Sequence, residues 1–343
     1  MSSFAVNGPP PRRAITPDVG SVIRTHTTSL PMTAIHRSPR PPTRRGLPTG
    51  NYVFPMAGAS GISRVGVVGS GIMGAGIVEV VAAAGFDVVV RARTSEGAAR
   101  VAGDVGARLD RAVQRGRVDA AEADQIMPRI STTEHLRDLA DCDLVIETVV
   151  EDLEVKKHLV AELDAVLADT AMIATNTSTL PVVELAMATA RPDRVCGLHF
   201  FNPATAMPLV EVVQPVTAAE STVETIEHFA ADCGKESVRV ADRAGFVVNA
   251  LLFPYLNSAI ALAEHGVASR ADVDRAMRGG CNFPMGPFEL LDLIGLDTTL
   301  RILETLHREN GDAASLPHPE LRRLVAAGHL GRKAGRGFLE YEA

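Results

Sequence analysis

Tryptophan is absent from this chain of 343 residues, and aromatic residues make up only 4% of it. Cysteine is almost as rare, with four residues. These four lie far apart in the chain and form no CxxC pair. That spacing favours neither a disulfide framework nor a zinc site, so we predict no metal centre and a reduced, cytoplasmic setting. Long apolar runs are missing too, because none approaches the ~18 residues of a membrane span, and we expect no membrane partner.

Basic residues are outnumbered by acidic ones, and the net charge is −7 at pH 7. This balance argues against a general affinity for nucleic acid, because nucleic-acid recognition needs basic surfaces. What the chain does have is hydrophobic residues, at 46%, and enough length for two domains. A sizeable buried core can therefore form.

The start of the chain has its own composition. Its first 55 residues hold seven arginines, no lysine, one acid and ten of the 21 prolines. Because no helical or strand period is visible, we predict a disordered Pro/Arg-rich extension over residues 1–61. An Arg-rich, acid-poor start is also typical of an organelle transit peptide, but the prolines would break the amphipathic helix that such a peptide needs. We interpret the segment as a non-functional extension, with Met56 as an alternative start.

Residues 62–242 alternate between strand and helix patterns. This alternation predicts an α/β fold with a doubly wound, Rossmann-type parallel sheet. The predicted strands are 64–69, 87–91, 143–150, 171–174, 195–200, 209–214 and 237–241. The predicted helices follow the first strand up to residue 84 and then cover 95–117, 120–127 and 154–167.

The pattern becomes wholly helical after residue 242. Predicted helices cover 245–264, 269–277, 287–310 and 318–326, and Pro287 suits a first helical turn. We therefore predict an all-helical C-terminal domain over residues 243–343. A helical domain appended to a nucleotide-binding domain commonly supplies a substrate wall and a dimer face.

A glycine-rich turn follows the first predicted strand. The pattern Gly69-x-Gly71-x-x-Gly74 stands between a strand and a helix, as a dinucleotide-binding turn requires. The first glycine makes the tight turn, the second lets the backbone approach a pyrophosphate, and the third allows close helix–strand contact. The first helical residues, Ile72 and Met73, would face the phosphates at the helix N-terminus.

The end of the second predicted strand bears on the choice of cofactor. Sites for NAD usually place an acid there, which binds the ribose 2′-OH. This chain has Ala92 between Arg91 and Arg93 instead. A missing acid together with added arginines favours a 2′-phosphate, and hence NADP(H), with NAD(H) as the alternative.

A histidine and a glutamate stand in two consecutive apolar runs. His199 lies near the end of the first run, and Glu211 follows twelve residues later inside the second. The pair is suited to acid/base chemistry, because the carboxylate would fix the imidazole tautomer and stabilise its charged form. With the glycine turn, it indicates hydride transfer in which a histidine handles the proton.

Seven segments in order resemble the 3-hydroxyacyl-CoA dehydrogenase family, and the length is closest to its single-function, 3-hydroxybutyryl-CoA-type members. The segments are VGSGIMGAG (68–76), ETVVED (147–152), NTS (176–178), GLHFFNP (197–203), RAGFVVN (243–249), PMGPFELLD (284–292) and GRKAGRGF (331–338). The resemblance implies a catalytic His199 with Glu211 as its partner, and it implies that Ser178 and Asn249 contact the substrate's 3-oxygen. Glu151, Lys156 and Asn202 would line the cofactor cleft. The family's ribose-binding Asp falls at Ala92.

The function expected from this resemblance is the interconversion of (S)-3-hydroxyacyl-CoA and 3-ketoacyl-CoA in fatty-acid metabolism, by a homodimer formed through the helical domain. Two alternatives compete with it. A β-hydroxyacid dehydrogenase on a free acid typically uses a catalytic lysine in the helical domain, but only four lysines exist and none lies in the first long helix of that domain. A catalytically silent dinucleotide-binding protein would not need His199, Glu211, Ser178 and Asn249. Acyl chain length and physiological direction stay open.

Overall fold

The computed structural model describes residues 58–341. Most of the predicted disordered extension lies outside these residues. At its described end, Ser60 donates its hydroxyl to Asp232 at 2.8 Å.

Strands of the described part form one eight-stranded sheet in the order β3-β2-β1-β4-β5-β6-β7-β8. They are β1 (Arg64–Val68), β2 (Asp87–Arg91), β3 (Ile130–Thr133), β4 (Leu144–Glu147), β5 (Met172–Thr175), β6 (Val195–Phe200), β7 (Leu209–Gln214) and β8 (Glu236–Ala241). The order reverses beside β1, which confirms a Rossmann-type architecture.

The strands β6 and β7 pair antiparallel, whereas all other neighbouring strands are parallel. The predicted parallel, doubly wound sheet is therefore confirmed in all but one of its strand pairings. Residues 201–208 are too few for a crossover, because a parallel return needs a dozen residues or more. The antiparallel register places His199 directly opposite Glu211.

Helices cover both faces of the sheet. They are α1 (Ile72–Ala83), α2 (Ser95–Gln114), α3 (Ala120–Ile126), α4 (Leu153–Val166), α5 (Val182–Ala186) and α6 (Glu220–Asp232). Neighbouring residues of β1 show the two faces, since Val67 and Val68 belong to different buried clusters. Because strand side chains alternate, a central strand buried on both faces reads as a continuous apolar run.

The C-terminal part is helical, as predicted, and has its own core. Its helices are α7 (Val248–Glu264), α8 (Arg270–Cys281), α9 (Pro287–Ile294), α10 (Leu296–Asn310) and α11 (Pro319–Ala326). Phe253, Phe288, Leu291 and Leu303 lie at the centre of a separate buried cluster. The boundary after residue 242 stays a prediction.

Several elements differ from the sequence-based expectation. The predicted helix 287–310 is two helices, because Gly295 with φ +99° separates α9 from α10. The strand β3 and the helices α5 and α6 were not predicted. The signal for α6 is the spacing of Val223, Ile226 and Phe229, which are all buried on one face.

Residues 58–341 contain neither a membrane-spanning helix nor a metal-binding cluster of side chains. Within this range, no helix has both the length and the apolar character to cross a membrane. Nor does any group of three or more His, Cys, Asp or Glu side chains lie close enough together to hold a metal ion.

Candidate active site

The glycine turn after β1 leaves room for a ligand and for close backbone contacts. A Cβ at Gly69, where φ is +135°, would lie 2.4 Å from Thr148 Oγ1, and one at Gly74 would lie 2.4 Å from the Gly69 carbonyl oxygen. Side chains at both positions are therefore excluded. A Cβ at Gly71 would meet no atom within 4 Å, so the space that a pyrophosphate needs in front of α1 is open.

The first turn of α1 extends from this site. Ile72 is 79% exposed although it is apolar, while Met73 lines a cavity described below. Both expected cofactor contacts therefore lie at the helix N-terminus, next to open space.

The end of β2 approaches the same turn. Ala92 is buried, Arg93 is exposed, and Arg91 donates from Nε to the Glu134 carbonyl at 3.3 Å. A Cβ at Gly97, in the first turn of α2, would lie 3.4 Å from Ala92 Cβ and 3.8 Å from the Ser70 hydroxyl. The strand end, the glycine turn and the start of α2 thus surround one small space.

Two charged residues at this space were missed by the sequence reasoning. Arg100 donates from Nη2 to the Ser70 carbonyl in the glycine turn at 3.4 Å. Glu134 accepts a hydrogen bond from the backbone N–H of Ser95, at the start of α2, at 3.2 Å. Arg100 lies 26 residues after Gly74, the last glycine of the turn, so no local motif identifies it.

The predicted acid/base pair is formed across β6 and β7. His199 Nδ1 lies 2.8 Å from Glu211 Oε2, and both side chains are buried. On the other side of the ring, His199 Nε2 lies 3.2 Å from the Ser178 hydroxyl. A histidine held by a carboxylate at one nitrogen and open to a hydroxyl at the other has the geometry of an oriented acid/base.

Glu211 also reaches the helical part of the chain. Its Oε1 accepts the backbone N–H groups of Val247 and Val248 at 3.0 and 2.9 Å, just before and at the first residue of α7. Burial by itself would raise the pKa of Glu211. The hydrogen bond from His199, the two N–H donors and the imidazole charge outweigh burial, and the pKa lies below its usual range. The group is therefore an anion that accepts from both sides.

Asn249 follows directly after these two donors. It is the second residue of α7 and is buried. The position next to the Glu211 anchor brings the start of α7 close to His199 and Glu211, although no hydrogen bond of the Asn249 side chain is formed within residues 58–341.

Two aromatic rings enclose the histidine. Phe201 and Phe246 lie with ring centroids 4.7 and 5.5 Å from that of His199. Phe246 has φ +50°, a conformation that non-glycine residues rarely adopt. It is held there between Gly245 and the start of α7, so the connection to the helical part forms one wall around the imidazole.

Glu151 organises the loop that carries Ser178. Its Oε1 accepts from the Thr177 hydroxyl at 2.6 Å and from the backbone N–H groups of Ser178 and Thr179 at 2.8 and 3.2 Å. Its Oε2 lies 3.5 Å from Lys156 Nζ. Glu151 therefore positions Ser178 and also borders the open cleft.

Lys156 is less accessible than the sequence suggested. Its side chain is 1% exposed, and Nζ lies 2.8 Å from both oxygens of the buried Glu147. Glu147, at the end of β4, also accepts from the Thr175 hydroxyl at 2.7 Å and from Val149 N–H at 2.6 Å. The lysine joins α4 to two strand ends, and its partner Glu147 was predicted only as part of a motif.

Asn176 and Asn202 flank the pair at the ends of two strands. Asn176, which was predicted only as part of a motif, accepts the backbone N–H of Phe200 at 2.8 Å and so ties β5 to the end of β6. Asn202, two residues beyond β6, is exposed, as a residue that lines a cleft must be.

A cavity of about 380 Å³ joins these parts. One side contains Met73, Glu151, Asn176 and Ser178, and the other side is formed by α10. Within the described residues, the structure thus brings Met73, Glu151 and Ser178, three of the predicted site residues, to one cleft between the sheet and the helical part.

Comparison with known families gives two matches. The model described as "3-hydroxyacyl-CoA dehydrogenase, NAD binding domain" matches residues 64–243, and the one described as its "C-terminal domain" matches residues 245–341.

Curated relatives are similar over most of the chain. A 3-hydroxybutyryl-CoA dehydrogenase of Mycobacterium tuberculosis is 47% identical over 286 residues, covering 82% of this chain and 99% of the relative. One of Clostridioides difficile is 40% identical over 278 residues, covering 81% of this chain and 99% of the relative.

Solved structures agree. FadB2 of Mycobacterium tuberculosis is 47% identical with a TM-score of 0.80, covering 82% of this chain and 99% of that chain. The (S)-3-hydroxybutyryl-CoA dehydrogenase of Ralstonia eutropha is 36% identical with a TM-score of 0.80, covering 82% of this chain and 100% of that chain. With two family models and these relatives matched, this chain belongs to the 3-hydroxyacyl-CoA dehydrogenase family.

Proposed function

We propose that this protein interconverts (S)-3-hydroxyacyl-CoA and 3-ketoacyl-CoA, and that its preferred substrate is 3-hydroxybutyryl-CoA. The observation that carries the proposal is the chain of contacts Glu211–His199–Ser178, which ends at the cleft beside the glycine turn. The names of the relatives support the chain length.

The dinucleotide fits the residues that are present. Gly71 leaves open space before the N-terminus of α1, and Gly69 and Gly74 permit the close approach of the backbone. When bound, the nicotinamide supplies a hydride acceptor for oxidation and a hydride donor for reduction.

The tautomer of the neutral His199 ring follows from Glu211. Because this carboxylate is ionised, it only accepts hydrogen bonds, so His199 Nδ1 carries the proton and donates to it. The Nε2 lone pair then points to the Ser178 side. In oxidation, Nε2 takes the proton of the substrate's 3-hydroxyl as the C3–H electron pair leaves as hydride and the C3–O double bond forms. Reduction returns the same proton to the same oxygen.

Ser178 and Asn249 are proposed to contact the 3-oxygen. The Ser178 hydroxyl lies 3.2 Å from Nε2, so a 3-hydroxyl bound beside both groups would donate to the Nε2 lone pair and accept a hydrogen bond from Ser178. A donor aimed at a developing alkoxide stabilises the transition state more than the ground state. Asn249 would approach from the start of α7.

The remaining cofactor contacts are proposed in two groups. Glu151 and Asn202 would contact the nicotinamide half directly from the open cleft. Lys156 would act on the same half through the turn between β4 and α4, because its ammonium is already engaged by Glu147 and lies 3.5 Å from Glu151.

We propose NADP(H) as the preferred cofactor. The space that would receive the ribose is bordered by a small, buried Ala92 in place of an acid. Arg91 and Arg93 flank it, and Arg100 lies over the glycine turn. Arginines bind phosphate through several N–H donors at once, so they suit a 2′-phosphate.

One observation favours NAD(H) instead. The carboxylate of Glu134 lies at the start of α2, 3.2 Å from Ser95 N–H, and it belongs to the same surroundings as Arg91. An acid at this place could accept a 2′-OH and would repel a 2′-phosphate. The two cofactors must therefore be compared directly.

A homodimer through the helical domain is also proposed. The outer face of α7 carries Leu251 and Leu262, which lie about three helical turns apart and are 72% and 40% exposed. An apolar stripe of this kind suits a second copy of the same helix. Light scattering at micromolar concentration measures the mass directly, and a monomer would contradict the proposal.

A cytoplasmic location is likewise proposed, since all four cysteines are free thiols. The non-functional role of residues 1–55 is tested by removing them. Lost activity of the shortened protein would contradict the non-functional role. An altered location of a tagged protein would contradict both the non-functional role and the cytoplasmic location.

The activity is tested with purified protein, acetoacetyl-CoA, and either NADPH or NADH, followed by the absorbance of the reduced cofactor. We expect turnover that His199→Gln abolishes while the variant still binds the cofactor. Cofactor binding without turnover in the wild type, on short and long acyl-CoA alike, would support a silent binding protein instead.

A further inference from the structure

The helix α10 has two faces with different chemistry. Leu296, Thr299, Leu303 and Leu306 are buried in the core of the helical domain. The opposite stripe lines the cleft and carries Thr298, Arg301, Ile302, Thr305 and Arg308. Intervals of three and four residues place this second stripe on one side of the helix.

The two arginines on this stripe differ in their partners. Arg308 is 3.0 Å from the exposed Glu309, its neighbour in the chain, and an exposed pair of this kind is easily exchanged. Arg301 is exposed, and its guanidinium makes no hydrogen bond or ion pair within residues 58–341. The cleft wall therefore presents a guanidinium that no protein carboxylate neutralises.

The acids of the same cavity are already engaged. Glu304, on α10, forms an ion pair with Arg322. Glu151, on the opposite wall, accepts from the Thr177 hydroxyl and two backbone N–H groups and lies near Lys156. Neither carboxylate is paired with Arg301, so the cleft keeps positive charge on its α10 side.

The wall opposite Arg301 begins at Met73, in the first turn of α1. The glycine turn and the N-terminus of α1 offer a site for a pyrophosphate on that wall. A guanidinium across the cleft would neutralise the same group from the other side. Both ligands of the proposed reaction, the dinucleotide and coenzyme A, carry a pyrophosphate.

We propose that Arg301, assisted by Arg308, binds the pyrophosphate of a nucleotide ligand in the cleft and thereby determines how tightly the helical domain holds that ligand. This inference rests on the function proposed above. Because planar guanidinium donors match two phosphate oxygens at once, Arg301 contributes geometry as well as charge.

The test compares Arg301→Ala, Arg301→Lys and Arg308→Ala with the wild type. Arg275→Ala serves as the matched control, since Arg275 is an exposed helical-domain arginine that pairs with Asp272 of its own helix. Three quantities are measured: the Kd of the reduced dinucleotide by fluorescence, the KM of acetoacetyl-CoA, and the KM of the N-acetylcysteamine thioester, which lacks the pyrophosphate.

If the ligand is the dinucleotide, Arg301→Ala raises its Kd about 10-fold and leaves both KM values unchanged at saturating cofactor. If the ligand is coenzyme A, the KM of acetoacetyl-CoA rises about 10-fold while that of the thioester and the dinucleotide Kd stay constant. Arg301→Lys should recover part of the loss, and Arg275→Ala should change nothing.

Unchanged Kd and KM values in Arg301→Ala, with an active wild type, overturn the inference and leave the proposed function intact. An inactive wild type on both thioesters overturns the proposed function, and the dinucleotide Kd still tests Arg301 on its own. Thermal melting of each variant shows that folding is preserved, as expected for an exposed side chain.

Discussion

His199 and Glu211 face each other across the antiparallel pair β6–β7, with Nδ1 and Oε2 2.8 Å apart. The other oxygen of the same carboxylate holds the first turn of α7. One glutamate therefore contacts the imidazole proposed as the acid/base and attaches the start of α7 to the sheet. Changes at Glu211 should accordingly affect catalysis and stability together, whereas a change at His199 that keeps a donor to Glu211, such as His199→Gln, should affect mainly catalysis.

The first prediction separates these two roles. His199→Gln should lower kcat about 10²–10⁴-fold, the range typical of losing a general acid/base, with little change in melting temperature. Glu211→Gln should lower kcat less and also lower the melting temperature, because one anionic acceptor of Val247 and Val248 is lost. Equal melting temperatures for both variants would contradict the anchoring role.

The second prediction concerns pH. The pKa of Glu211 is lowered in the folded protein because hydrogen bonds from His199 and α7 outweigh the burial of the group. Its ionised form therefore stabilises the fold above the ordinary value of about 4.5, and this contribution is lost as the pH falls through the lowered folded value.

Melting curves of the wild type and Glu211→Gln between neutral and acidic pH test this. The difference between the two proteins should be full at neutral pH and should shrink below the ordinary carboxyl range. A constant difference at all pH values would show that the glutamate is stabilising for another reason.

The third prediction concerns the buried pair of Lys156 and Glu147. Lys156→Met should lower the free energy of unfolding by about 3–5 kcal/mol, because it leaves a buried carboxylate without its counter-ion. The double variant Lys156→Met/Glu147→Gln should recover a substantial part. Lys157→Met is the neighbouring control; its ammonium pairs with Glu184 at 2.5 Å at the surface, and denaturant melts should show little change.

The fourth prediction tests cofactor choice. Arg93→Asp should raise the KM of NADPH far more than that of NADH, because it removes a cation and adds an acid beside the space next to Ala92. Glu134→Gln should act in the opposite sense and improve NADPH. If Arg93→Asp affects both cofactors equally, Arg93 is a surface charge and the NADP(H) proposal fails.

The fifth prediction concerns the link to the helical domain. Gly245 has φ +75°, and a Cβ there would lie 2.5 Å from Leu306 Cδ2 and 3.0 Å from the Ala250 nitrogen. Gly311 has a similar φ of +69° but no atom within 4 Å of the same position. Gly311→Ala should therefore cost only the left-handed strain, about 1–2 kcal/mol.

Gly245→Ala should cost more than Gly311→Ala, because a clash with α10 is added to the strain. It should also lower kcat, since Phe246 beside His199 must shift. Equal losses in the two variants, measured by urea unfolding, would mean that the packing against Leu306 relaxes without cost.

Local signals predicted most of the sheet. The bounds of β2, β6 and β7 agree with the predicted apolar runs, because strands buried on both faces read as continuous apolar segments. The edge strand β3 was missed for the opposite reason. It pairs with a strand on one side only, and its residues Ser131 and Thr132 are exposed. Its sequence therefore has no apolar run that would identify a strand.

Site residues could be predicted where a chemically suited side chain also stands out from its local sequence pattern. His199 and Glu211 stand out because each is a lone polar residue in an apolar run. Lys156 illustrates the limit, since a lysine in the first turn of a helix is usually solvated, and only its contact with Glu147 shows that it is buried. Residues such as Arg100 and Arg301 approach the cleft from helices distant in sequence, which no local pattern reveals.

The sequence by itself determined the class of fold and the position of the glycine turn, and it predicted which two residues form the acid/base pair. These properties depend on short-range features: strand and helix periods, glycine positions, and polar residues in apolar segments. Tertiary structure decided the antiparallel register of His199 and Glu211 and the attachment of α7 to Glu211. It also decided that Arg301 and Arg308 of α10 line the cleft. Each of these depends on which distant segments pack together, and packing is settled by the whole core rather than by any one segment.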